Sequence, residues 1–136
     1  MEKKYKKILL VLVFLSALCT YIILNFLSEQ KIVDYKMQLT VGNHIGFDLN
    51  TSVITFGMVI PSGNAVRHLD LKNGEQKNKF QILAFGDLAG WIKLSENDFV
   101  LQPYEKRTLN ITAQVPKNAD LGNYTGTLRV IIENYE

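Results

Sequence analysis

The sequence predicts an all-β antiparallel sandwich of seven to eight short strands, preceded by one N-terminal transmembrane helix. Three observations lead there. An apolar run from Ile8 to Leu27 follows a cluster of lysines. From Val33 onward, apolar residues recur every second position, the period of a strand with one buried and one wet face. Turn-forming clusters break that alternation at short intervals, as they do in sandwiches.

The helix comes first. About twenty residues at about 1.5 Å each make about 30 Å, the thickness of a bilayer's hydrocarbon core. Within the run, Ser16 and Thr20 can bond back to helix carbonyls, and Asn25 lies within a turn of the exit. Tyr21 and Phe26 near the same end fit an aromatic belt. No Asp, Glu, Lys, Arg or His interrupts the stretch, so nothing points to an ion path. Lys3, Lys4, Lys6 and Lys7 precede it, whereas Lys31 and Lys36 are the nearest lysines behind it. This asymmetry places residues 1–7 in the cytoplasm, the span at 8–27, a short stalk at 28–34 and an exported domain at 35–136. A cleavable signal peptide starts the same way, but its apolar core is usually about 7–15 residues long. No small-x-small site closes the run, and Leu18 before Cys19 disfavours a lipoprotein site. A retained anchor is the favoured reading, secretion after cleavage the alternative; both export the domain.

Charge agrees. The tail before Ile8 has four lysines and Glu2, a balance of +3; the remainder has eleven basic residues (15 − 4) and twelve acidic (13 − 1), a balance of −1. The net charge is a topology signal and not the footprint of a nucleic-acid binder. Cys19 is the single cysteine and lies in the apolar run, where it reads as a small apolar filler. The exported domain therefore has no internal disulfide and relies on its core. Three Asn-x-Ser/Thr sequons, at Asn50, Asn110 and Asn123, mark candidate N-glycosylation sites. Export, sequons and no disulfides together fit an archaeal surface protein.

The strand segments are 34–41, 45–49, 53–60, 65–72, 79–86, 91–94, 98–101, 107–115 and 123–132. Two neighbours among the short ones are candidates for one bent or sheet-switching strand. In the clearest segment, Leu109, Ile111, Ala113 and Val115 alternate with Asn110, Thr112 and Gln114. Turns fall at Gly42-Asn43, Pro61-Ser62-Gly63-Asn64, Lys72-Asn73-Gly74, Gly86-Asp87, Pro103, Pro116-Lys117-Asn118 and Asp120-Leu121-Gly122. No helix is expected in the exported domain.

Asp120, Gly122 and Tyr124 form an Asp-x-Gly-x-Tyr run at the start of a late strand. It resembles the tyrosine corner of immunoglobulin-like domains, in which the phenol bonds back to upstream backbone. Gly126 stands where antibody domains have a cysteine. From Phe99 to Ile132 the pattern is similar to the immunoglobulin-like repeats of archaeal exported proteins, and more broadly to the major-sperm-protein and pilus-chaperone sandwiches. The resemblance implies a fold and says little of function.

Trp91 reads as a core aromatic packed between sheets. His44 and His68 lack a cysteine and carboxylate constellation, so no metal is expected. Asp87, Asp98 and Asp120 are turn formers without calcium-loop spacing. Arg67, Arg107 and Arg129 read as solvated strand residues. No nucleophile motif or phosphate loop appears, so the sequence predicts neither an enzyme nor a cofactor. The expected function is a bilayer-anchored surface module that contacts a protein or envelope partner. Its layout is similar in architecture to archaellum stator proteins. The alternatives are a membrane-tethered assembly factor and a filament subunit, each using an edge strand. The edges expected to do so are Tyr35–Val41 and Tyr124–Ile132.

Overall fold

In a computed structural model, residues 2–26, 30–43 and 53–135 are described. Asn50, His44 and the strand expected at 45–49 lie outside them. An apolar helix, α1 (Glu2–Phe26), precedes eight strands: β1 (Lys31–Val41), β2 (Ile54–Val59), β3 (Asn64–Lys72), β4 (Asn78–Gly86), β5 (Ile92–Leu94), β6 (Phe99–Leu101), β7 (Lys106–Gln114) and β8 (Gly122–Asn134). A single 3-10 turn, Ala89–Trp91, leads into β5 and takes Trp91 out of the strand expected at 91–94.

The strands form two sheets. The larger has the order β2-β1-β8-β4-β6 and the smaller β3-β7-β5. β5 and β6 belong to different sheets, so the short pair spans a sheet switch through residues 95–98. Alternation fixes which side chains face inward. β1 buries Met37, Leu39 and Val41; β4 buries Phe80 and Ile82; β8 buries Leu128 and Val130. From the smaller sheet, Leu69, Leu71, Leu109, Ile111 and Ala113 meet them. Phe80 and Phe99 stack with ring centroids 5.8 Å apart.

The order of strands corrects one expectation. β1 pairs β8 over Lys31–Val41 and β2 over Met37–Val41, and β8 pairs β1 over Gly122–Ile132 and β4 over Gly126–Asn134. Neither Tyr35–Val41 nor Tyr124–Ile132 is an edge strand, although among the described strands Tyr35 and Lys36 pair with β8 alone and Tyr124 and Thr125 with β1 alone. Among the described strands the outer ones are β2, β6, β3 and β5. A second difference is at the start of the domain: Lys31–Asp34, expected in a stalk, already pair with Ile132–Arg129 of β8.

Two local devices hold this arrangement. Gly86 and Gly126 face each other across β4 and β8, and Gly86 has φ +86°. A Cβ on Gly86 would lie 2.9 Å from the Gly126 Cα, so the strands close up only because both side chains are absent. Asn73, read as an ordinary turn residue, is buried where the two sheets meet. Its amide nitrogen donates to the carbonyls of Gln76, Leu101 and Gln102 at 2.7, 2.9 and 2.8 Å. Its oxygen accepts from Gly74 N–H at 2.9 Å and from the Asn78 amide at 2.8 Å. The side chain thus ties the end of β3 to β6 in the opposite sheet.

Candidate interaction surfaces

The outer face of the larger sheet carries a mixed ionic and apolar patch. The register sets Asp34 of β1 opposite Arg129 of β8, and Arg129 opposite Leu83 of β4. The guanidinium grips the carboxylate with two hydrogen bonds, 2.8 and 2.9 Å long. It also lies 5.3 Å from the centroid of the Phe85 ring. The bond to Arg129 holds the Asp34 carboxyl below its ordinary value, and Arg129 is correspondingly raised. Around this pair Ile32, Leu83 and Phe85 are 52%, 37% and 44% exposed. Arginine and aromatic rings are both enriched at protein contact sites.

Beside the patch lies a groove of about 400 Å³. Lys36, Gln38, Asp87, Thr125 and Thr127 are among its lining, together with the buried Met37. Asp87 accepts a long bond from Thr125 N–H, 3.4 Å. The lining offers hydrogen bonding and one charge of each sign. Among the described residues no group of three His, Cys, Asp or Glu side chains converges to hold a metal ion.

The outer face of the smaller sheet is polar. His68 Nδ1 and the Asn110 amide oxygen are 2.7 Å apart across β3 and β7, and the Thr108 hydroxyl donates to Asp70 at 2.5 Å. The sequon residue Asn110 is exposed on the middle strand of this sheet. Asn123 is exposed at the start of β8, where its side-chain oxygen accepts from the Thr40 hydroxyl at 2.7 Å. Close by, the Tyr124 phenol donates to the Asp120 carbonyl at 2.9 Å. Trp91, half-buried, packs on the Tyr124 ring with centroids 4.5 Å apart.

None of the three arginines is an isolated, solvated residue as expected. Arg67 donates to the Thr55 carbonyl of β2 at 2.6 Å. Arg107 bridges Glu96 and Glu105 at 2.8 and 2.9 Å and lies 5.4 Å from the Phe99 centroid. The Glu105 carboxyl is lowered first by the Gln102 N–H and then by Arg107. Arg129 is the case described above. Strand register brings Arg129 to Asp34, contact between the two sheets brings Arg67 to Thr55, and the turns at Glu96 and Glu105 supply the carboxylates of Arg107.

No family model and no curated protein matches this sequence. Among solved structures, a Burkholderia pseudomallei antigen and type I fimbria protein aligns at 11% identity. The alignment covers 77% of this chain and 98% of that one, with a TM-score of 0.33. That superposition is too loose to transfer either fold detail or function.

Proposed function

We propose that the chain is a single-pass membrane protein whose immunoglobulin-like sandwich, held outside the cell, makes non-catalytic contacts with a protein or envelope partner. The observation that carries this is α1. Every described side chain from Lys3 to Ile23 is exposed, and the segment is long and apolar enough to cross a bilayer. Among the described residues nothing covers that surface, and a bilayer would. The phenol bond from Tyr124 to Asp120 and the Trp91 contact support the immunoglobulin-like reading. The exposed positions of Asn110 and Asn123 are compatible with glycosylation.

The contact surface in this reading is the patch of Ile32, Leu83, Phe85 and Arg129. A photo-crosslinking residue placed at Phe85 in intact cells should give a discrete adduct, and one at His68 on the opposite face should not. Protease added to those cells should digest the domain and spare the N-terminal tail. A protected domain with a digested tail reverses the topology, and equal labelling from both positions removes the patch.

A further inference from the structure

We propose that the end of the sandwich nearest α1 rests on anionic lipid headgroups of the membrane in which the helix is anchored, through exposed lysines and two tyrosines. The inference rests on the reading of α1 as a retained span.

Geometry selects the end. Phe26 closes α1 and Lys31 opens β1, so the extended chain between them reaches at most about 18 Å. β1 extends about 35 Å from Lys31, so Trp91 and Tyr124 lie at the other end of that strand from the helix attachment. Registry gathers the near end: Lys31 lies opposite Ile132, Asn78 opposite Asn134 and Leu101, and Lys72 opposite Lys106. Asn73 fastens these strand ends together through its bonds to Leu101, Gln102 and Gln76.

What this end displays matches a headgroup layer. Lys31, Lys72 and Lys106 are exposed, and the Lys77 ammonium lies 4.6 Å from the Tyr135 centroid. Among the described residues, the acids there are Glu75, exposed; Glu105, engaged by Arg107 and the Gln102 N–H; and Glu133, hydrogen-bonded by the Gln30 amide. Lysines and tyrosines are the residues that settle at membrane interfaces, and clustered lysines favour anionic lipid.

Tyr104 adds an independent sign. It follows Pro103 in a turn closed by Glu105 N–H to Gln102 carbonyl at 3.1 Å, and its φ is +61°. A turn with proline second and a positive φ third suits glycine or asparagine in that third place. Here a tyrosine holds it with 62% of its surface exposed. Backbone preference favours glycine or asparagine there, and an exposed ring kept at that cost fits a contact outside the fold.

The test uses the full chain reconstituted in phosphatidylcholine vesicles, with and without phosphatidylglycerol, containing a lipid with a nitroxide on its headgroup. Trp91 serves as the distant reference. Tyr104→Trp and Tyr135→Trp each add a reporter at the near end, so one suffices if the other fails to fold. With phosphatidylglycerol present, the added emission should be quenched about twofold or more relative to Trp91, less so at high salt. The same reporters in a chain with Lys31, Lys72, Lys77 and Lys106 changed to Gln should lose that excess. Quenching no greater than that of Trp91, in a chain that still resists alkaline extraction, overturns the docking and leaves the anchor standing. Quenching independent of both anionic lipid and salt also overturns it, since tethering alone would then explain proximity. Release of the chain by alkaline extraction overturns docking and anchor together.

Discussion

Truncating Asn73 to alanine should destabilise the domain far more than its place in a surface turn suggests. The amide nitrogen faces three carbonyls at 2.7–2.9 Å, and the oxygen serves two donors. Water can reach most of these groups once the side chain is gone. The Leu101 carbonyl is the exception, because its bond is buried and Leu101 is fully enclosed. An orphaned buried carbonyl costs about 1–3 kcal/mol, and the remaining bonds add about 1 kcal/mol net, for a loss of about 3 kcal/mol. In a domain of this size that lowers Tm by about 10–20 °C. Asn73→Asp should be worse at neutral pH, since it turns lone pairs toward three carbonyls, and should recover partly in acid when the carboxyl regains one donor. Thermal melts of the full chain in detergent, followed by Trp91 fluorescence, read the effect. Trp91 lies at the opposite end of the sandwich, so it reports cooperative unfolding and not local fraying. A Tm within about 3 °C of the parent for Asn73→Ala, or Asn73→Asp no worse than Asn73→Ala at neutral pH, would refute the reasoning.

Gly126→Ala should cost about 1–3 kcal/mol by overpacking, because its Cβ would lie 2.7 Å from the Phe85 carbonyl oxygen and 3.1 Å from Met37 Cε. Gly90→Ala, with open space at its Cβ, should leave the denaturant midpoint unchanged or slightly raised. For Asp34 the sign follows from its lowered carboxyl: folding favours the ionised form, so its contribution is present above the unfolded value and is lost as pH falls through the folded one. Asp34→Asn should therefore be less stable than the parent at neutral pH, and the gap should close in acid below the ordinary carboxylate value of 3.8. A gap that persists undiminished in strong acid would mean that packing, not the ionised pair with Arg129, sets the difference.

The strands were legible because alternation is local. The inward faces of β1, β7 and β8 follow from single stretches such as Leu109, Ile111 and Ala113. Neighbours were not legible, because period two says which way a side chain points and nothing of which strand lies beside it. Asp34 and Arg129 are 95 positions apart, and only the β1–β8 register brings them together. Asn73 is a subtler miss. Lys72-Asn73-Gly74 reads as a solvated turn, and a buried amide leaves no signature in sequence until the opposing carbonyls of β6 are in place. Trp91 shifted from strand to 3-10 turn for a similar reason: its half-buried seat on Tyr124 is a tertiary contact.

The real edges bear on how the domain meets a partner. Strand addition needs a row of free backbone N–H and C=O groups. β5 and β6 are three residues each and offer little of one. Where β4 runs beyond β6, the Asn97 side chain stands in for a strand: its oxygen accepts from Ile82 N–H at 2.8 Å and its nitrogen donates to the Ile82 carbonyl at 3.0 Å. β3 is the long edge, but Arg67 reaches from it to the Thr55 carbonyl of β2, and β3 carries the exposed His68, Asp70 and Lys72. Charged side chains and short strands are the devices that discourage edge pairing. An assembly factor or filament subunit that lends or accepts a strand would have to undo them, starting with the Arg67 bridge. A partner that meets the Phe85 face, or a membrane that meets the lysine and tyrosine end, needs no such rearrangement. Arg67→Ala separates the two routes: freeing the β2 and β3 edges should promote concentration-dependent self-association of the full chain while leaving the Phe85 adduct unchanged. An adduct lost together with Arg67 would place the contact on the edge instead.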